Sequence, residues 1–299
     1  MRVSPSYYLL RNEYRTGMNF NIRQFNMGMI KDRCAIDSHK SPMIVIIGKK
    51  DTGKSFLVRD ILFHNQDAFP IGTVISGTEV ANRFFQDMVP SKLIHDKYKP
   101  EIIMNVIRRQ LALKQQRGAG AGAGSNVDPR AFLILDDCLY DASWIKEEST
   151  RYVFMNGRHV DLSTMITMQY PLGITPNLRT NVDFVFILRE NILGNRRRIY
   201  ENYAGMFPSF EMFCQFMDQC TENYECLVIC NSSSSNKLED QVFWYKASDH
   251  PQFHMCADSL WVDNKPFMST MLAANDYNSE LASQRKGPSV WVRKEKNDK

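Results

Sequence analysis

Short apolar runs rich in β-branched residues alternate along this chain with longer stretches in which apolar residues recur at helical spacing. The first run, Met43–Ile47 (MIVII), is apolar at every position with turn signals on both sides, the pattern of a strand buried on both faces. Comparable runs predict strands over 72–77 (GTVISG), 131–137 (AFLILDD), 163–169 (STMITMQ) and 181–190 (NVDFVFILRE). Between them the spacing predicts helices. Leu57, Val58, Ile61 and Leu62 share a face; a second helical pattern runs from about Glu79 to Met88. In 101–116 a stripe forms from Ile102, Ile103, Val106, Ile107 and Leu111, and 144–158 ends at an Asn-Gly stop signal. Two more helices are predicted over 195–203 and 209–219. The runs YECLVICN and DQVFWYK then read as a hairpin across a serine-rich turn. This alternation predicts an α/β fold, a mainly parallel central sheet flanked by helices, with a C-terminal β-hairpin.

Composition changes the picture little. The chain has 299 residues, 43% apolar and 23% charged, as in ordinary globular proteins. No apolar run approaches the ~18 residues that span a bilayer, and no signal peptide is apparent. Seven scattered cysteines match no common zinc spacing and read as free thiols of a reducing compartment. Charge is more informative. Residues 1–33 and 284–299 each carry six basic and two acidic residues, so both ends are basic around a mildly acidic middle. Such tails are either solvated or attracted to a polyanion. The expected organisation is a basic N-terminal segment (1–34), one α/β domain (35–253) with a flexible Gly/Ala loop (117–128), and a C-terminal extension with a basic tail (254–299).

The domain's chemistry follows from the eight residues after the first strand. Gly48, Lys49, Lys50, Asp51, Thr52, Gly53, Lys54 and Ser55 form G-x-x-x-x-G-K-S between a predicted strand and a predicted helix, the context of a phosphate-binding P-loop. Inward N–H groups and the helix N-terminus attract phosphate, Lys54 reaches the β/γ-phosphates, and the Ser55 hydroxyl serves Mg²⁺. The fold class is therefore a P-loop NTPase using ATP and Mg²⁺.

Hydrolysis needs more, and FLILDD supplies it. Successive strand residues face opposite ways, so the two acids have different tasks. Asp136 is expected at the metal with Ser55, and Asp137 as the base for the attacking water. The alternative for Asp137 is a turn cap. Gln169 ends an apolar strand, where an amide either senses the γ-phosphate or caps the Pro171 loop. Arg158 and Arg179 are the candidate arginine fingers offered to a neighbouring subunit. Arg196, Arg197 and Arg198 (GNRRRIY) add to this supply in a loop expected after the next strand. SNKLED mimics a guanine-reading motif but sits in the serine-rich turn, which argues against a GTPase.

Several blocks then resemble a known family: IVIIGKKDTGKS, FLILDDC, the run from MNGRHV to FVFILRE, and above all RRRIYENYAGMFPSFEMFCQFMDQCTENYECLVICN with SNKLEDQVFWYKA. They are similar to the genome-packaging ATPases of large nucleocytoplasmic DNA viruses, members of the FtsK–HerA group. The resemblance spans roughly residues 43–253. It implies the ASCE/RecA-like form of the P-loop fold, with a strand inserted between the Walker A and Walker B strands. It assigns Lys54 and Ser55 to Walker A, Asp136 and Asp137 to Walker B and the catalytic acid, and Gln169 to the sensor. It also implies a ring of five or six subunits on double-stranded DNA, with Arg196, Arg197 and Arg198 as candidate DNA-backbone contacts, capsid or inner-membrane virion proteins as partners, and a location in the virion and host cytoplasm. The other readings are a helicase or repair ATPase of the same fold, and a nucleotide-gated structural protein of the virion.

Overall fold

The computed structural model describes residues 21–36, 38–118, 127–138, 144–262 and 264–265. The Gly/Ala tract at 119–126 and both basic tails (1–20 and 266–299) lie outside the described residues.

The chain order is β1 (Arg23–Gln24), α1 (Gly28–Arg33), β2 (Met43–Ile47), α2 (Lys54–His64), β3 (Ile71–Ser76), α3 (Glu79–Asn82), β4 (Ile94–His95), α4 (Pro100–Gly118) and β5 (Ala131–Asp136). It continues with α5 (Glu148–Asn156), β6 (Leu162–Met168), α6 (Pro176–Arg179), β7 (Phe184–Ile187), α7 (Leu193–Tyr203), α8 (Phe210–Cys220), β8 (Glu225–Cys230), α9 (Leu238–Gln241) and β9 (Val242–Lys246). The nine strands form one sheet in the order β1-β9-β8-β7-β2-β6-β5-β3-β4. From β7 to β4 every pairing is parallel; β8 and β9 are the antiparallel hairpin predicted from sequence. This is the α/β P-loop ATPase fold. β6 lies between β2 and β5, the inserted strand that the resemblance implied.

The apolar runs are continuous because both sheet faces are covered. Val45 and Ile47 of β2 pack into one layer with α4, α5, α7 and α8. Ile44 and Ile46 face a second layer built on α1 and α2. Phe25, Met27, Ile30 and Cys34 belong to that second layer. β1 pairs in parallel with β9, and Phe25 meets the rings of Phe184, Phe186 and Phe243 edge-on at 5.5–5.8 Å. At the other end the strap after β9 buries Phe253 and Met255, and Met255 N–H donates to Met88 O at 2.8 Å.

The helix predicted from Glu79 to Met88 stops at Asn82. Arg83 takes a left-handed conformation (φ 52°), and the buried Glu79 carboxylate accepts the N–H groups of Phe85 and Gln86, both at 2.9 Å. A side chain thus outcompetes the helical ladder. Arg196, Arg197 and Arg198 also depart from expectation: they lie in α7 rather than in a loop. Asn195, next to them, donates to the buried Glu190 carboxylate, and Arg196 donates to Glu190 O, which starts the helix early.

Close packing yields one stability prediction. A Cβ on Gly72 would lie 2.0 Å from the Phe132 ring, its register partner on β5, which is itself pinned edge-on by Phe69 at 5.7 Å. Gly72→Ala is expected to destabilise the fold by about 1–3 kcal/mol, read from urea unfolding.

Candidate active site

Strand register assembles the site. Asp136, the last residue of β5, stands beside Ser76 of β3 on one side and Thr167 of β6 on the other. Both neighbours donate to its carboxylate, Ser76 Oγ at 2.8 Å and Thr167 Oγ1 at 2.6 Å. A buried carboxylate is thereby held in one orientation, and each oxygen keeps lone-pair capacity for a further donor or a metal-bound water. Thr167 Oγ1 also accepts the N–H of Asp137 at 3.0 Å. Asp137 takes a left-handed conformation (φ 52°) where the strand ends.

The loop Gly48–Ser55 leaves β2 beside these acids, with the Gly48 N–H donating to Met168 O of β6 at 3.0 Å. Gly53 adopts φ 98°, a conformation that glycine takes without strain, and opens α2 immediately afterwards. Lys54 is half-buried and curls back over the loop, donating to Gly48 O at 2.8 Å and Lys49 O at 3.0 Å. Burial pulls its pKa below the ordinary lysine value, and the negative charges of Asp137, Asp136 and Asp51 oppose that shift. Ser55 follows it on the exposed side of the first turn.

Gln169 is the residue after β6, between the loop and the acids. Its side-chain amide donates to Asp137 Oδ2. Of the two sequence readings of this glutamine, neither anticipated a carboxylate partner. The structure thus brings together Gly48–Ser55, Asp136, Asp137 and Gln169 at the carboxyl edge of the sheet.

The arginines lie elsewhere. Arg158 is at the amino edge, where it reaches Asn181 at 3.4 Å beside Asp183, which accepts the N–H of Met43 at the start of β2. The length of β2, ~3.3 Å per residue, separates it from the loop of its own chain. Arg179 packs 5.4 Å over the ring of Tyr203, whose hydroxyl donates to Pro171 O just past Gln169. Arg196 is committed to Asp218 at 2.7 Å, while Arg197 and Arg198 are exposed, over the rings of Phe210 and Tyr170.

Sequence reasoning missed several groups. Glu190, at the end of the β7 segment, pairs with Lys49 at 2.5 Å and anchors the loop. Burial opposes its ionisation, yet the bonds from Lys49, the Ile192 N–H and Asn195 hold its carboxyl below the usual range. Arg189 lines a 160 Å³ cavity with Asp51, Thr52 and Glu222. Tyr224 (φ 64°) stands against Gly53 and closes a 460 Å³ largely apolar cavity with Phe56, Leu57, Leu188, Cys226 and Ala247. The charged Arg189–Glu190 pair behind an apolar strand was the available signal; nothing in sequence ties Tyr224 to Gly53. All seven cysteines are free thiols, as expected.

No family model matches the chain. Among curated proteins, it is 40% identical over 209 residues to uncharacterized protein L437 of Acanthamoeba polyphaga mimivirus, covering 70% of this chain and 73% of that protein. It is 38% identical over 229 residues to uncharacterized protein 075L of Invertebrate iridescent virus 6, covering 76% and 86%. Among solved structures, the genome packaging NTPase B204 of Sulfolobus turreted icosahedral virus 2 in complex with AMP aligns with 70% of this chain and 98% of its own, at TM-score 0.47 and 15% identity. Extensive identity to the mimivirus and iridovirus proteins bears out the resemblance noted in the sequence, and the chain belongs to their family of large nucleocytoplasmic DNA virus proteins.

Proposed function

We propose that this chain is an ATP-hydrolysing motor that moves double-stranded viral DNA into a capsid during genome packaging. The observation that carries the reading is the Asp137–Gln169 pair at the mouth of the Gly48–Ser55 loop. A carboxylate aimed there, beside an amide that holds it, serves a reaction with water rather than binding alone. In this reading the loop N–H groups and Lys54 hold the phosphates, Asp137 takes the proton of the attacking water, and Gln169 orients Asp137. The donor set fits Mg²⁺: Ser55 offers an exposed hydroxyl, and Asp136 an oriented carboxylate whose free lone pairs suit a metal-bound water. The ion, when bound, neutralises charge on the phosphates.

The cavity beside Gly53 receives the base, with Tyr224 as its stacking surface. Tyr224→Ala is then expected to weaken ATP binding by roughly 5–150-fold, the loss of one base–aromatic stack of ~1–3 kcal/mol, in equilibrium titration. An unchanged affinity places the base elsewhere.

The motor half of the proposal rests on the family resemblance, on the exposed Arg197 and Arg198, and on the basic ends of the chain. Either Arg158 or Arg179 completes the neighbouring subunit's site in a closed ring, Arg158 from the edge opposite its own loop. Backbone phosphates, not base edges, are the DNA feature contacted. Capsid or inner-membrane virion proteins dock the ring at the assembly site. The test is ATP turnover of the assembled oligomer against double-stranded DNA of unrelated sequences at several salt concentrations. Stimulation that weakens as salt rises is expected. Turnover indifferent to DNA refutes the motor and favours a nucleotide-gated structural protein; strand displacement identifies a helicase.

A further inference from the structure

The far end of α2 carries a second cluster that nucleotide chemistry does not use. Asp60 is fully buried, and among the described residues its ion-pair partners are two histidines, with no lysine or arginine. His64 lies one turn further along the same helix, with Nε2 3.7 Å from Asp60 Oδ1. His250 comes from the strap after β9, with Nε2 2.5 Å from the same oxygen. One ligand atom from each of the three lies within 4.8 Å of those of the other two.

The surroundings orient all three. Tyr245 OH donates to Asp60 Oδ2 at 2.6 Å, and Oδ1, which also accepts the Ser248 N–H at 3.2 Å, is turned toward the imidazoles. The His250 ring stacks on Phe63 at 3.8 Å between centroids and meets His64 edge-on at 5.4 Å. Arg59 donates to the carbonyls of His250 and Pro251 at 3.1 and 3.4 Å, fixing the strap over the helix. Hydrogen bonding alone accounts for His250 but gives His64 no role, since 3.7 Å exceeds a hydrogen bond.

We propose that Asp60, His64 and His250 form a zinc site that fastens the C-terminal strap to the helix leaving the nucleotide loop. Two imidazoles and a carboxylate are a borderline donor set suited to Zn²⁺. Ligand atoms ~2.0 Å from a tetrahedral ion stand roughly 3.3 Å apart, between the two separations seen here. Tyr245 is the outer partner that metal-bound carboxylates require. The His64 side chain is 40% exposed, so solvent reaches the fourth position.

The test uses the full chain, nucleotide-free, stripped with chelator and kept in excess Mg²⁺ so that the loop does not compete. Titration with Zn²⁺, and with Co²⁺ as the spectroscopic probe, is expected to show one equivalent per chain, a tetrahedral Co²⁺ spectrum without thiolate bands, and a raised melting temperature. His64→Gln and His250→Gln each lower the affinity about 10²-fold or more, and Tyr245→Phe by about 10–100-fold. His64 is at the surface, so its variant folds whether or not the metal matters. Absence of stoichiometric binding by the native chain overturns the proposal, as does binding undiminished in both histidine variants. Neither outcome touches the hydrolysis reading, because none of these residues contacts the loop's phosphate side.

Discussion

Asp137→Asn is expected to lower ATP turnover by about 10²–10⁴-fold while nucleotide affinity stays within a few-fold of the native value. The substitution is clean for structural reasons. Asp137 sits at φ 52°, a conformation that asparagine adopts as readily as aspartate. Its N–H bond to Thr167 does not involve the side chain, and an asparagine carbonyl oxygen still accepts from Gln169. The capacity to take a proton is removed, together with the negative charge that faces Lys54. Phosphate release measured with saturating ATP, beside a nucleotide titration and a melting curve, separates the outcomes. A drop of less than tenfold with unchanged melting would make Asp137 a turn residue and leave the base unassigned.

Lys54→Ala is expected to act earlier in the cycle. A charge-assisted contact to phosphate from a half-buried ammonium contributes about 1.5–3 kcal/mol, so affinity falls roughly 10–150-fold. Turnover falls a further 10²–10³-fold, because the same charge faces the phosphate as negative charge builds on it. The lysine also leaves a signature in pH. Burial lowers its pKa against the pull of Asp137, Asp136 and Asp51. The ammonium, and with it kcat/KM for free enzyme, is therefore lost as pH rises at a point below the ordinary lysine range. That alkaline limb disappears in the alanine variant. A limb that persists belongs to another group and removes Lys54 from the phosphate contact.

The central elements were legible because their environment is uniform. β2, β5 and β6 are buried on both faces, so an apolar run with polar residues at its carboxyl end carries the whole message. The Gly48–Ser55 loop, Asp136, Asp137 and Gln169 were all visible there. What escaped depends on partners distant in sequence. α3 ends where Glu79 turns back on Phe85 and Gln86, which no periodicity encodes. β1 holds two exposed residues, and only Phe25 beside it, packed on rings more than 150 residues away, shows why the segment belongs to the sheet. Tyr224 beside Gly53 and His250 beside Asp60 are likewise products of the finished fold.

The sheet margins limit how copies of this chain can associate. Its outermost strands, β1 and β4, offer two residues each, and Arg23 on β1 is already held by Asp240. A ladder extended from either margin would gain too few backbone bonds to hold two subunits in register. The ring proposed above would therefore be joined by side chains on the helical layers and loops, contacts that can slide or tilt without breaking a strand pair. Such a ring could alter the angle between neighbours at each turnover while every subunit kept its own sheet intact.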